Sequence, residues 1–299
     1  MQPHQKALTQ LLRSDKTIAL AYFDNPKNPT TLHIHNTRTN VTRVTPLPEE
    51  LRPFKIAHHT CKPITKLTLP AEAITPFNDH QACQDEPIEL GTQIQPRGAD
   101  WLGTAGSPCR WTDADGKEHW GILSNWHVMA DGGEYKGRSQ HQPTTARSAI
   151  ASLDNWTPVN PNVENCVDAA IADALINGQH TISHRILGLG NLGQSVTNAA
   201  VGLAVAKAGR TTGVTNGRCI AVGAAANVGY GDFVATFVDQ DVFEADQDEF
   251  SAPGDSGSLI VCAGRNCPVA LLFAGNSELT IGNPMRLVQN ELDLVYPFI

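Results

Sequence analysis

"SAPGDSGSLIV", residues 251–261, sets Asp255 and Ser256 between two glycines and then runs straight into apolar chain. Two readings of this stretch stand side by side. In one, a strained turn presents the Ser256 hydroxyl while backbone N–H groups point at an oxygen that gains negative charge. In the other, it is an ordinary turn before a strand, because Gly, Asp and Ser are common turn residues. A motif this short is decided by its context.

Composition narrows the context. The chain has 299 residues, 41% of them hydrophobic and 17% charged, which is a globular make-up with room for one large domain or two ordinary ones. A formal net charge of −8 argues against nucleic acid or an anionic membrane as the main partner. No apolar run reaches the roughly 18 residues that span a bilayer, and "MQPHQKALTQLLRSDK" lacks the apolar centre of a secretory signal. The expected location is therefore the cytoplasm. The seven cysteines (61, 83, 109, 166, 219, 262 and 267) are an odd number, and reduced thiols are the expectation there. Cys262 and Cys267 bracket a short turn and are close enough in sequence to bridge, but a reducing compartment disfavours it.

Three segments follow from patterning. In residues 1–70, "QKALTQLLR" reads as a short helix, and "KTIALAYFD" and "TTLHIHNT" as strands around the turn "NPKNP". A helical turn opened by Pro48 and a further strand complete a small α+β unit, expected to recruit a partner or to regulate access. Residues 71–96, rich in prolines and acids, read as a linker. From 97 to 299, short apolar runs alternate with Gly, Asn, Asp and Pro, the texture of an all-β barrel or sandwich. The tail "NPMRLVQNELDL" has the spacing of a closing helix opened at Asn283-Pro284.

A serine that attacks a carbonyl needs a base, and the base needs an orienting acid. "SNWHV" places His127 at the end of an apolar run, and "VDAAIA" places Asp168 inside one, where a carboxylate is costly unless paired. The chain order is His127, Asp168, Ser256. With an all-β background, that order and the motifs "SNWHV", "VDAAIA", "KAGRTTGVTNG" and "PGDSGS" resemble the chymotrypsin-like serine peptidases across residues 97–299. The third motif resembles the bacterial branch with α-lytic protease and the streptogrisins. The wider pattern, including "LLFAG" and "NP", resembles intracellular bacterial relatives of the plant narrow-leaf protein that carry a small N-terminal domain.

The resemblance implies a double six-stranded β-barrel and hydrolysis of peptide bonds in a protein or peptide substrate, without metal or cofactor. It implies Ser256 as nucleophile, His127 as general base and then acid, Asp168 as orienting acid, and the amides of Gly254 and Ser256 as oxyanion donors. It turns Asp255 inward to an ion pair, with Lys207 the expected partner and Arg210 the second choice. Substrate would meet Phe250, Ser251, Phe273, Ala274 and Gly275. Two departures stand out. Phe273 replaces a serine that usually helps hold the acid, so backbone N–H groups are expected to hold Asp168. Phe250 lies where a charged pocket base would select Lys or Arg, so trypsin-like specificity is not expected; Phe250 either shortens the pocket or packs into the core. Two rivals remain: a zinc site drawn from His58, His59, Cys61, His80 and Cys83, which lacks paired C-x-x-C spacing, and a catalytically silent binding scaffold on the same fold.

Overall fold

The computed structural model describes residues 2–37, 46–73, 75–131, 135–175 and 182–295. Residues 43–45, which head the stretch before the Pro48 turn, lie outside them. The chain is built mainly from short strands wound into two six-stranded barrels.

The first barrel uses the strands Thr92–Pro96, Trp101–Ala105, Ser107–Thr112, Glu118–Ser124, Ser139–His141, Ala149–Thr157 and Ala169–Ala174. Trp101–Ala105 and Ser107–Thr112 are one extended run bent at Gly106. Its first half pairs with Thr92–Pro96 and its second half with Glu118–Ser124, so the run closes the sheet on itself. The bend requires glycine: a Cβ at position 106 would lie 1.8 Å from the carbonyl oxygen of Gly257. Ile94, Ile122, Val128, Ile150 and Leu153, all essentially inaccessible, fill the interior.

The second barrel consists of Ala204–Gly209, Gly213–Gly229, Val234–Ala245, Leu259–Cys262, Pro268–Gly275 and Thr280–Pro284, closed by pairing of the second strand with the third. Phe243, Phe250, Ile260, Val269 and Leu272 pack inside it. The closing helix spans Met285–Glu291 with Pro284 at its cap, as the tail pattern predicts.

The amino-terminal elements form as read: a helix Pro3–Ser14, strands Ile18–Phe23 and Thr31–Asn36, a 3₁₀ turn Glu49–Leu51 and a strand Lys55–Thr60. Leu8, Leu11 and Leu12 repeat at helical spacing and bury one face against Phe23, Leu32 and Leu51. The sheet continues into the second barrel, because Leu20 and Ala21 pair with Ala226 and Ala225 on the long Gly213–Gly229 strand. Residues 88–96 of the stretch read as linker form the strands Ile88–Leu90 and Thr92–Pro96. Ile88, Leu90 and Ile94 recur at period two, a weak signal beside the prolines and acids before them. Among the described residues no helix is long and apolar enough to cross a membrane.

Candidate active site

The Gly254–Gly257 turn sits at the seam between the barrels. Thr104 of the first barrel donates its N–H to Ser256 O at 2.8 Å, and its hydroxyl donates to Gly254 O at 2.9 Å. Gly254 has φ +102°, and a Cβ there would lie 2.4 Å from Thr211 Oγ1 and 2.6 Å from Arg210 Cδ. Position 254 therefore excludes a side chain on both conformational and spatial grounds.

His127 lies in the one-turn helix Trp126–Met129 that follows the Glu118–Ser124 strand, and Asp168 directly precedes Ala169–Ala174. The Gly121–Asp173 to Ser124–Ala170 register of these two strands brings the two residues together. His127 Nδ1 is 2.5 Å from Asp168 Oδ2, and the His127 backbone N–H donates to Oδ1 at 3.1 Å. A carboxylate only accepts, so Nδ1 carries the proton of this bond, and in the neutral ring the lone pair falls on Nε2. Nε2 is buried and has no hydrogen-bond partner among the described residues. Both side chains are fully buried.

The backbone expected to hold Asp168 supplies that His127 N–H, and a side chain not foreseen in the sequence completes the set. Tyr230, just after the Gly213–Gly229 strand, donates its hydroxyl to Asp168 Oδ2 at 2.5 Å. Burial, reinforced by the neighbouring carboxylate, raises the Tyr230 phenol well above its usual range and keeps it a donor. Asn283 Oδ1 accepts from the Asp168 N–H at 2.9 Å, and Asn125 Nδ2 donates to the Asp168 carbonyl at 2.7 Å.

Asp255 points inward. Lys207 Nζ lies 3.2 Å from its Oδ2, and both side chains are fully buried. Lys207 Nζ also donates to Gly213 O at 3.1 Å and to the Thr212 hydroxyl. Asp255 further accepts from the N–H groups of Ala252, Thr211 and Thr212 and from the Thr212 hydroxyl. Burial pushes the Lys207 ammonium below the usual lysine range, while Asp255 acts to retain its proton. Arg210, the second choice, instead forks onto Gln93 Oε1 at 2.7 and 2.9 Å.

Phe250 is buried and stacks on Phe243, with ring centroids 6.3 Å apart, within the cluster that also contains Leu67. The Ser251 hydroxyl bonds to that of Thr280 at 2.6 Å. The Ser256 hydroxyl donates to Phe273 O at 3.0 Å. The five residues of the zinc reading are not gathered: His58 and His59 lie on the Lys55–Thr60 strand, while His80 Nδ1 faces Gly91 O at 2.8 Å. Among the described residues no group of three His, Cys, Asp or Glu side chains is arranged to hold a metal.

This architecture is the chymotrypsin-like serine peptidase fold. Protease A of Thermobifida fusca superimposes with a TM-score of 0.51 at 14% identity, covering 70% of this chain and 97% of that one. Cellulomonas bogoriensis chymotrypsin gives 0.50 at 18% identity, covering 71% and 99%, and a glutamic acid-specific serine protease gives 0.50 at 19%, covering 70% and 100%. Residues 162–283 match the family model described as the Nal1 C-terminal domain. No curated protein matches the chain.

Proposed function

We propose that the protein is a serine endopeptidase whose triad is Ser256, His127 and Asp168. The observation that carries this reading is the buried His127–Asp168 pair with its free Nε2, held at the same seam as a glycine-framed serine. In the proposed cycle the Ser256 oxygen bonds to the substrate carbonyl carbon while its proton passes to His127 Nε2. The carbonyl oxygen takes the negative charge against the amides of Gly254 and Ser256. The C–N bond then breaks, and His127 returns the proton to the leaving amine. Water, deprotonated by the same nitrogen, hydrolyses the Ser256 ester and restores the hydroxyl. Asp168 fixes the tautomer and stabilises the imidazolium. Lys207 acts through Asp255 to hold the turn and is a positioning residue.

The silent-scaffold reading draws on a different observation, the Ser256 hydroxyl engaged with Phe273 O. A fluorophosphonate serine probe, incubated to completion, separates the two. Labelling that maps to Ser256, and peptide hydrolysis that falls on the order of 10⁴- to 10⁶-fold in Ser256→Ala, is the expected result. Hydrolysis unchanged in Ser256→Ala would reject the mechanism.

A further inference from the structure

The cleft is not empty: the chain's own residues 64–67 lie in it. The short strand Ile64–Lys66 inserts between the two barrel strands that border the site. It runs parallel to one, with Ile64 opposite Val228 and Thr65 opposite Gly229. It runs antiparallel to the other, with Thr65 opposite Gly275 and Lys66 opposite Ala274. Leu67 follows at the reacting centre. Its N–H lies 3.1 Å from Ser256 Oγ and 3.3 Å from Phe273 O, and its carbonyl oxygen accepts the Gly254 N–H at 2.5 Å. The chain then crosses to the first barrel, where Leu69 and Pro70 pair with Leu102 and Trp101. The Leu67–Thr68 peptide bond thus spans the seam between the barrels, with its carbonyl on an oxyanion donor.

Ordinary core packing explains a buried leucine but not this backbone. Three polar groups of the proposed machinery, Ser256 Oγ, Gly254 N–H and Phe273 O, are all engaged by the one residue. Strand addition through main-chain bonds, with alternate side chains read by pockets, is a general mode of peptide recognition. Here the Leu67 side chain enters the apolar pocket of Phe243 and Phe250, with Cδ1 3.4 Å from the place a Cβ on Gly275 would take. The Lys66 ammonium reaches Asp131 at 3.0 Å and lies 5.6 Å from the Tyr230 ring centroid. The Ser256 hydroxyl faces Phe273 O, so the occupant sits in an unreactive pose.

We propose that the cleft is built for an extended peptide with a basic residue followed by a leucine-sized aliphatic residue on the acyl side of the scissile bond, and that Thr65–Leu67 is its intramolecular occupant. The inference names the substrate class of the site assigned under the peptidase reading, on which it rests. Another peptide enters only when this strand leaves.

The test has one arm that needs no chemistry. In a Ser256→Ala background, anisotropy of a fluorescein-labelled peptide of residues 62–70, KPITKLTLP, reads occupancy directly. Leu67→Asp puts a charge where the pocket is apolar and should expel the strand. Thr65→Pro removes an N–H from the paired backbone at an exposed side chain and should loosen it without leaving a cavity. Each should bind the peptide at least tenfold more tightly than Ser256→Ala alone, and a peptide with aspartate in place of the first of its two leucines, the one matching Leu67, should bind none of them. Thr65→Pro leaves every side chain of the Phe243–Phe250 cluster in place and should melt cooperatively; it carries the test by itself if Leu67→Asp, whose side chain belongs to that cluster, does not. Equal affinity of all three proteins for the peptide, or no binding to any while they remain folded, would overturn the proposal. In the second arm, with Ser256 intact, Leu67→Asp should raise the fluorophosphonate labelling rate at least tenfold. Peptide binding gained without any labelling or hydrolysis would sustain this inference while rejecting the peptidase reading.

Discussion

Asp255 and Asp168 are the two fully buried carboxylates of the candidate site, and the protein compensates them in different ways. Asp255 has a fixed cation, Lys207, plus three backbone N–H groups and a hydroxyl. Asp168 is met by an imidazole, a phenol and a backbone N–H, none of them a permanent cation. A charge whose task is to hold a turn is best compensated permanently. A charge whose task is to favour an imidazolium during the reaction must not be cancelled beforehand by a lysine, because its pull on His127 would then be lost. The contrast ties the geometry of each acid to its proposed role.

The hardest way to break the contrast is to remove the charge of the acid proposed to orient His127. Asp168→Asn should leave the fold intact but lower kcat by about 10⁴, since the amide stabilises neither the correct tautomer nor the imidazolium. Unchanged kcat in the variant would remove Asp168 from the mechanism.

Lys207→Ala strands Asp255 in a dry site and should cost about 3–5 kcal/mol of stability. As the turn relaxes, the Gly254 N–H moves, so kcat should fall more than KM rises. Adding Asp255→Asn should restore much of the stability in chemical denaturation. A double variant as unstable as Lys207→Ala alone would mean that charge compensation is not what Lys207 supplies. Arg210→Ala is not a clean comparator, because Arg210 is anchored on Gln93 and Thr75.

Tyr230→Phe deletes one donor to an anion, an interaction of about 1.5–3 kcal/mol. The expected loss in kcat is about tenfold or somewhat more, with KM little changed. A fall in melting temperature without any change in kcat would make Tyr230 a packing residue only.

The smallest effect concerns a third buried carboxylate. Asp241 is pushed up to about 7, first by burial and then by Asp239, with Arg286 opposing. A raised acid stabilises the fold while both states are protonated, and that contribution is lost as pH climbs from about 4, where the unfolded chain releases its proton, to about 7. Asp241→Asn should therefore raise the melting temperature relative to the parent at pH 8 and change it little at pH 4. An equal shift at both pH values would show that Asp241 does not titrate with folding.

The residues of the proposed triad could be picked out from the sequence because each lies in a local pattern: Ser256 in a glycine turn, His127 at the end of an apolar run, Asp168 alone among Val and Ala. Lys207 was accessible through its place before "GRTTG". Tyr230 was not, because its partner lies 62 residues away and a phenol in "VGYGD" looks like any turn residue. Leu67 was hidden more deeply. "TKLTLP" has no glycine, histidine, serine, cysteine or carboxylate to single it out, and its position depends in part on a contact with Ser256, 189 positions later. The continuation of the amino-terminal sheet into the second barrel was equally silent, since "GAAANV" carries no partner preference; its small side chains only permit close approach.

The occupied cleft also has a consequence for concentration. The strand is tethered on both sides, by the Cys61 N–H on Asn36 O at 2.9 Å before it and by the Leu69–Pro70 pairing after it. A short tether gives its occupant an effective molarity on the order of millimolar, and free peptide sees an affinity reduced by the fraction of molecules whose cleft is open. Dilution cannot relieve such a block, because the competitor travels with the protein at every concentration. Turnover would then be governed by whatever shortens the strand's dwell time, and two preparations of equal purity could differ in activity solely through the state of four residues far from the triad in sequence.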